Sequence, residues 1–220
     1  LSHVLADGTT DPEGLGVCVG QVFGGIGAVA FDRPGFFTGP DLAVAGMLPW
    51  SEQLPEVATA CMAAAPESRL DPGTRRAWIE LCTAHAPALV GIDKQARLVH
   101  ADANPKNVLV TRAADGWRVD AVLDWEFSFS GCPYADYANM TRFGGTYPDA
   151  FIDGFRAGFA GRLAAGPDPT GPSTDEDWIY LGRVMDMFAL SDLVKRPGEH
   201  AVADQAAAEI RRWISTGIPA

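Results

Sequence analysis

Lysine is almost missing from this chain. Its 220 residues hold three, Lys94, Lys106 and Lys195, and none precedes position 94. Lysine and arginine together number 17 against 28 acidic residues, a formal net charge of −11. A surface of that sign repels polyanions, which argues against nucleic acid or anionic membrane as partner. It suits a cationic ligand, or simply solubility. Cysteine is scarce as well. Cys18, Cys61, Cys82 and Cys132 are scattered and form no C-x-x-C pair, so neither a zinc site nor a disulfide framework is indicated. Three of them fall in apolar helical patterns and read as buried thiols of a reducing compartment. No basic segment followed by an apolar run opens the chain. The longest apolar stretch, GVCVGQVFGGIGAVAF, is too short and too rich in glycine to span a bilayer. A cytoplasmic protein is expected. There are no repeats and no low-complexity tails. The first residue is Leu1 and not methionine, from which a longer translated product is expected.

What is present is a chain that is 47% hydrophobic, enough for a sizeable core in one large domain or two small ones. Residues 12–30 look helical despite their glycines. The glycine pattern GLGVCVG within them lacks the preceding strand and the spacing of a dinucleotide loop. Residues 33–42, RPGFFTGPDL, are rich in turn formers and read as a loop or hairpin. Ser51 can cap a helix with Leu54, Val57, Ala58 and Cys61 on one face. A second helix, 74–86, carries Trp78, Leu81, Cys82 and His85, the last read as a partnered core histidine. From 97 to 124 the character changes. RLVH, VLVT and WRVDAVLD are short, rich in valine and separated by turns, the only convincing β region. Helices return from about 133, with Phe151, Phe155 and Phe159 on one face. Trp178, Leu181, Met185, Phe188 and Ala189 line another, behind a capping box of Ser173 and Glu176. The last helix shows Val202, Ala206, Ile210, Trp213 and Ile214. The expected class is mainly α (α+β), with a small central β-ribbon.

Between the apolar runs of that ribbon lies HADANPKN, residues 100–107. Phosphoryl transfer to a hydroxyl needs an acceptor for the proton, metal ions on the triphosphate and donors for equatorial charge. Asp102 can take the proton, Asn107 can reach a metal ion, and Asp124, ending DAVLD, can approach that ion from the neighbouring strand. Asp102 and Asn107 can also be read as turn formers that bond their own backbone.

The stretches LVHADANPKNVLV and VLDWEFSFSGCPYADYANM, with the helices after them, resemble the C-terminal lobe of the aminoglycoside phosphotransferase family, small-molecule kinases of protein-kinase-like fold. FDRPGFFTGPDL is similar to bacterial members. The resemblance covers nearly the whole chain. It implies that residues 1–220 form a single kinase-like C-terminal lobe whose β-ribbon carries the catalytic loop. By the same resemblance, Asp102 is the catalytic aspartate and His100 the loop histidine that holds the loop in shape. Asn107 and Asp124 bind the metal and hence the nucleotide, and Asp136 supports the loop from beneath. Mg2+ and ATP or GTP are implied as cofactors, and a small-molecule hydroxyl compound as acceptor, for which the net charge would suit a cationic one. Two departures stand out: Gly131, Cys132 and Pro133 replace the frequent G-D-P, and Lys106 stands where glycine is common, able to touch a phosphate or point into solvent. Trp125 reads as packing, and the acidic Asp175, Glu176 and Asp177 as a favourable helix start.

The resemblance also implies an N-terminal lobe with a phosphate-covering loop and a lysine paired to a glutamate. No lysine and no strand-rich segment precede the first helix, so that lobe is expected to be absent from these residues. The alternative to a phosphotransferase is a non-catalytic binding domain with a kinase-like fold. The presence of Asp102, Asn107 and Asp124 together favours the enzyme. A metal-dependent hydrolase ranks third, since no His/Asp cluster has di-metal spacing.

Overall fold

Asp11 accepts the Gly14 amide at 2.9 Å and Pro12 occupies the first turn, so the glycine-rich segment starts as a helix. This is α2 (Pro12–Ile26), preceded by the short α1 (Ser2–Ala6). Leu15, Val19 and Phe23 of α2 are fully buried. The glycines between them let another helix, α6 (Asp149–Ala164), approach backbone to backbone. A Cβ at Gly20 would stand 2.2 Å from the Phe155 carbonyl oxygen. The GLGVCVG pattern therefore serves helix packing inside α2. Phe151, Phe155 and Phe159 of α6 are fully buried on one face, as their spacing predicts, and stack with ring centroids 6.3 and 6.0 Å apart.

The computed structural model describes residues 1–8, 11–114, 116–165 and 175–218, with the backbone alone of Asp175 and Glu176. Contacts divide it into two units, Leu1–Met47 with Gln95–Ser173, and Leu48–Lys94 with Thr174–Ala220.

The first unit holds α1, α2, α6, the strands and α5 (Tyr134–Thr141). The strands are β1 (Gly35–Thr38), β2 (Ala43–Val44), β3 (Arg97–Val99), β4 (Val108–Ala113), β5 (Gly116–Val122) and β6 (Phe129–Gly131). Antiparallel β4 and β5 form the expected ribbon, with Val108 opposite Val122 and an irregularity at Leu109/Val110. The remaining strands correct the reading of a single β region. They make a four-stranded sheet in the order β2-β1-β6-β3, with Phe36 opposite Phe129 and Leu98 opposite Ser130. Segments of two to four residues are too short to display an alternation of period two, and they pair across long loops. The turn-rich 33–42 segment is the β1–β2 hairpin.

The second unit packs α3 (Trp50–Ala64), α4 (Pro72–His85), α7 (Asp175–Leu193) and α8 (Ala201–Thr216). Trp78 and Trp213 meet with centroids 6.0 Å apart, and the Trp78 indole N–H donates to Ser191 Oγ at 2.9 Å. Ser51 is not the cap of α3. The helix starts one residue earlier, and the Ser51 amide donates to Asp93 at 3.0 Å, so a carboxylate from outside the helix takes the capping role. The proposed box of Ser173 and Glu176 lies outside the described residues, as do the side chains of Asp175 and Glu176. The four cysteines are free. Burial pushes the Cys61, Cys82 and Cys132 thiols up, which keeps them inert. No helix among the described residues is long and apolar enough to cross a membrane.

Candidate active site

His100 follows β3 directly, and its ring is fully buried beneath the loop it begins. Nδ1 lies 3.2 Å from the Asp102 amide and Nε2 lies 2.9 Å from the Leu123 carbonyl. A backbone amide can only donate and a carbonyl can only accept. The ring is therefore neutral, with its proton on Nε2. Burial holds its pKa below the usual 6.5, against the opposing pull of the Leu123 carbonyl and the Asp102 and Asp124 charges. Phe23 and Trp125 pack edge-on against it at 6.0 and 4.7 Å. Trp125 also donates its indole N–H to the Val122 carbonyl at 2.8 Å, which makes it packing.

Asp136, on α5, is completely buried and lies behind the loop. Its two oxygens accept the amides of His100 and Ala101, each at 2.9 Å. Burial pushes its carboxyl up to about 7, the two amides act in the opposite direction, and the Asp102 charge adds to the rise. Ala101 needs that anchor. Its φ is +68°, left-handed for a residue with a side chain, at a cost of roughly 1–2 kcal/mol. Asp124 has φ +69°. Of three such residues besides glycine among those described, two stand within this constellation.

Asp102 is half-buried, and both its oxygens are occupied. Oδ1 accepts from Asn104 Nδ2 at 3.0 Å and Oδ2 from Asn107 Nδ2 at 2.8 Å. Asn107 spends its amide protons on the Asp102 carboxylate and carbonyl, while its own Oδ1 accepts nothing among the described residues. The Leu123 amide donates to the Asn107 carbonyl at 2.8 Å, so the ribbon register brings the neighbouring Asp124 beside Asn107 in the backbone. Asp124 is exposed, and its carboxylate has no hydrogen bond or ion pair among the described residues. Lys106 is exposed too, without a side-chain partner; its amide donates to Asn104 Oδ1 at 2.9 Å. The loop thus joins His100, Asp102, Asn107 and Asp136 by direct hydrogen bonds, with Asp124 next in register and Lys106 facing solvent. His85 lies in the second unit, half-buried with Nδ1 2.7 Å from the Tyr180 hydroxyl, a partnered histidine as its helix face suggests.

The sequence reading passed over Asn104, whose signal is the Asn-Pro turn start. It also passed over Leu109 and Leu123, which are 47% and 42% exposed on the ribbon. Leu109 is the second residue of β4, and Leu123 directly follows β5 with its amide on the Asn107 carbonyl. An apolar residue exposed beside unpartnered polar oxygens cannot be recognised from sequence.

The sequence pattern of the phosphotransferase enzyme family matches residues 35–172, more than half the chain. The chain belongs to that family. Every residue of the constellation lies in the matched segment. No curated protein matches the chain closely in sequence. Several solved structures resemble it in fold. A thermostable mutant of aminoglycoside phosphotransferase APH(4)-Ia, in apo form, is similar with a TM-score of 0.59 at 17% identity, over 94% of this chain and 68% of that one. Another mutant of that enzyme, in a ternary complex with ADP and hygromycin B, gives 0.57 at 16% identity, over 96% and 68%. An aminoglycoside-phosphotransferase-like protein of Ralstonia eutropha gives 0.55 at 14%, over 91% and 65%. The phosphotransferase family and the mainly helical α+β class thus both agree with the sequence resemblance.

Proposed function

We propose that this family member forms the catalytic and acceptor-binding lobe of an ATP-dependent small-molecule kinase. It would transfer the γ-phosphoryl group to a hydroxyl of an antibiotic-, sugar- or amino-alcohol-like compound. The observation that carries this reading is the Asp102 carboxylate, locked by two amides on a strained loop that Asp136 anchors from beneath. Such a carboxylate orients the acceptor hydroxyl and takes its proton. His100, buried and neutral, shapes the loop and touches no substrate.

The oxygens that remain fit a hard cation. Asn107 Oδ1 is left without a partner among the described residues because its amide protons go to Asp102, and Asp124 offers an unpartnered carboxylate in the adjoining register. Mg2+ prefers such oxygen donors and completes its shell with phosphate and water. Bound there, it would neutralise charge on the phosphates. Leu109 and Leu123, close to Asn107 in the backbone, give exposed apolar surface suited to a nucleotide base. The relative solved with ADP and hygromycin B supports a nucleotide and an antibiotic as ligand classes; ATP or GTP is the donor of this reading. The net charge of −11 favours a cationic acceptor, and buried free thiols suit the cytoplasm. No lysine precedes position 94, so on this reading the kinase lysine and the lobe that carries it lie outside these residues.

The test is nucleotide consumption by the full-length protein with Mg2+, against a panel of amino alcohols, sugars and aminoglycosides. Acceptor-dependent ADP release is the expected result. No consumption with any acceptor or with water would leave a binding domain of kinase-like fold.

A further inference from the structure

Two side-chain amides hold Asp102, and only that of Asn107 belongs to the H-x-D-x-x-x-x-N pattern. The other belongs to Asn104. Its Nδ2 donates to Asp102 Oδ1 at 3.0 Å and to the Asp102 carbonyl at 3.1 Å. Its Oδ1 accepts the Lys106 amide at 2.9 Å, and its backbone carbonyl accepts the Asn107 amide at 3.1 Å. The amide orientation follows from these partners, since a carboxylate requires the nitrogen and a backbone N–H requires the oxygen.

We propose that Asn104 is a positioning residue for phosphoryl transfer, one that fixes the plane of the Asp102 carboxylate and couples it to Asn107. This rests on the kinase reading above. A carboxylate held at Oδ2 alone can pivot about that one bond. A second donor on Oδ1 defines its plane and so the direction of the lone pairs left for the acceptor hydroxyl. The same side chain also starts the 3-10 turn Pro105–Asn107 that delivers Asn107. Asn104 thereby ties the group that orients the acceptor to the group that faces the nucleotide side.

A purely structural turn former would need only the oxygen of Asn104. The variants separate the two functions. Asn104→Ser keeps an oxygen for the Lys106 amide and replaces the Nδ2 amide that meets Asp102 with a single, shorter hydroxyl donor. Asn104→Asp also keeps the oxygen, but sets a second carboxylate against Asp102. In the full-length protein, phosphate release from Mg·ATP with water as acceptor gives kcat and KM without knowledge of the natural substrate. For Asn104→Ser, kcat should fall about 10- to 100-fold with KM for Mg·ATP within about twofold, and Asn104→Asp should fall further. Wild-type kcat in Asn104→Ser, or a change in KM alone, overturns the proposal. A thermal double-mutant cycle of Asn104→Ser with Asp102→Ala reads the contact itself. The two losses in Tm should be less than additive, and strict additivity overturns the clamp. A wild-type protein that releases no phosphate and phosphorylates no acceptor overturns the kinase reading and, with it, the positioning role. The thermal cycle still decides whether the contact exists.

Discussion

Asp102 has little freedom to turn, because each of its oxygens meets an amide proton. Asp102→Ala removes the acceptor and should lower turnover of the full-length protein by about 10²–10⁴-fold while the chain stays folded. Asp102→Asn should lose as much activity. It also sets an amide nitrogen against Asn104 or Asn107, donor against donor, and should cost roughly 1–3 kcal/mol of stability. Turnover assays beside urea denaturation curves test both; wild-type turnover in either variant removes Asp102 from the site. Asp136 has a different signature. Its carboxyl sits at about 7 in the folded chain against an ordinary 3.8. Between those values the folded state retains a proton that the unfolded state has lost. The stability it contributes is full below about 4 and falls as pH rises to about 7, by at most about 1.4 kcal/mol per pH unit. His100, held below 6.5, acts the other way: its share is full above 6.5 and is lost as pH falls below. The difference between wild type and Asp136→Asn isolates the first effect. Denaturation from pH 4 to 8 should show the gap between the two proteins narrowing as pH rises. A constant gap would mean that Asp136 is already ionised at pH 4.

At the scale of elements, the α2–α6 pair shows what a sequence reader can and cannot see. The helical period of Phe151, Phe155 and Phe159 was enough to predict a buried face, because three large side chains four apart leave few alternatives. The glycines of α2 lower intrinsic helix propensity, and their reason lies on the other helix, invisible to a local pattern. The loop motif was equally legible, since its residues are close in sequence. The sheet was not, because β1, β6 and β3 are short and pair over long distances. Ser51 misled because the Asp93 carboxylate does the capping from another segment. The glycine account makes opposite predictions for two similar changes. Gly20→Ala places a methyl 2.2 Å from the Phe155 carbonyl oxygen, so the helices must part, at a cost of about 1–3 kcal/mol despite better helix propensity. Gly161→Ala, in α6 with nothing within 4 Å of the new methyl, should stabilise by roughly 0.5–1 kcal/mol. Thermal unfolding of the two variants tests the pair; equal effects of one sign would rule out close approach as the reason for Gly20.

At the scale of the whole molecule, charge and missing contacts work together. On the proposed reading, a nucleotide bound to these 220 residues would meet Leu109 and Leu123, and the oxygens of Asn107 and Asp124. Lys106, exposed and without a side-chain partner, is the one lysine of the loop, in a chain of net charge −11. Free ATP is repelled by that charge, so binding should require Mg2+ to bridge anion and carboxylate. If the lysine and covering loop lie outside these residues, as proposed, few attractive contacts offset the entropy lost on binding. The 220-residue chain should therefore bind Mg·ATP only in the millimolar range, about −4 kcal/mol, and bind ATP not measurably when EDTA removes the metal. A full-length protein that supplies the lysine and covering loop should bind in the micromolar range. Calorimetric titration of both proteins, with and without EDTA, decides the matter. Micromolar affinity in the 220-residue chain would show that it contains a complete nucleotide site, and binding that survives EDTA would separate Asn107 and Asp124 from the metal.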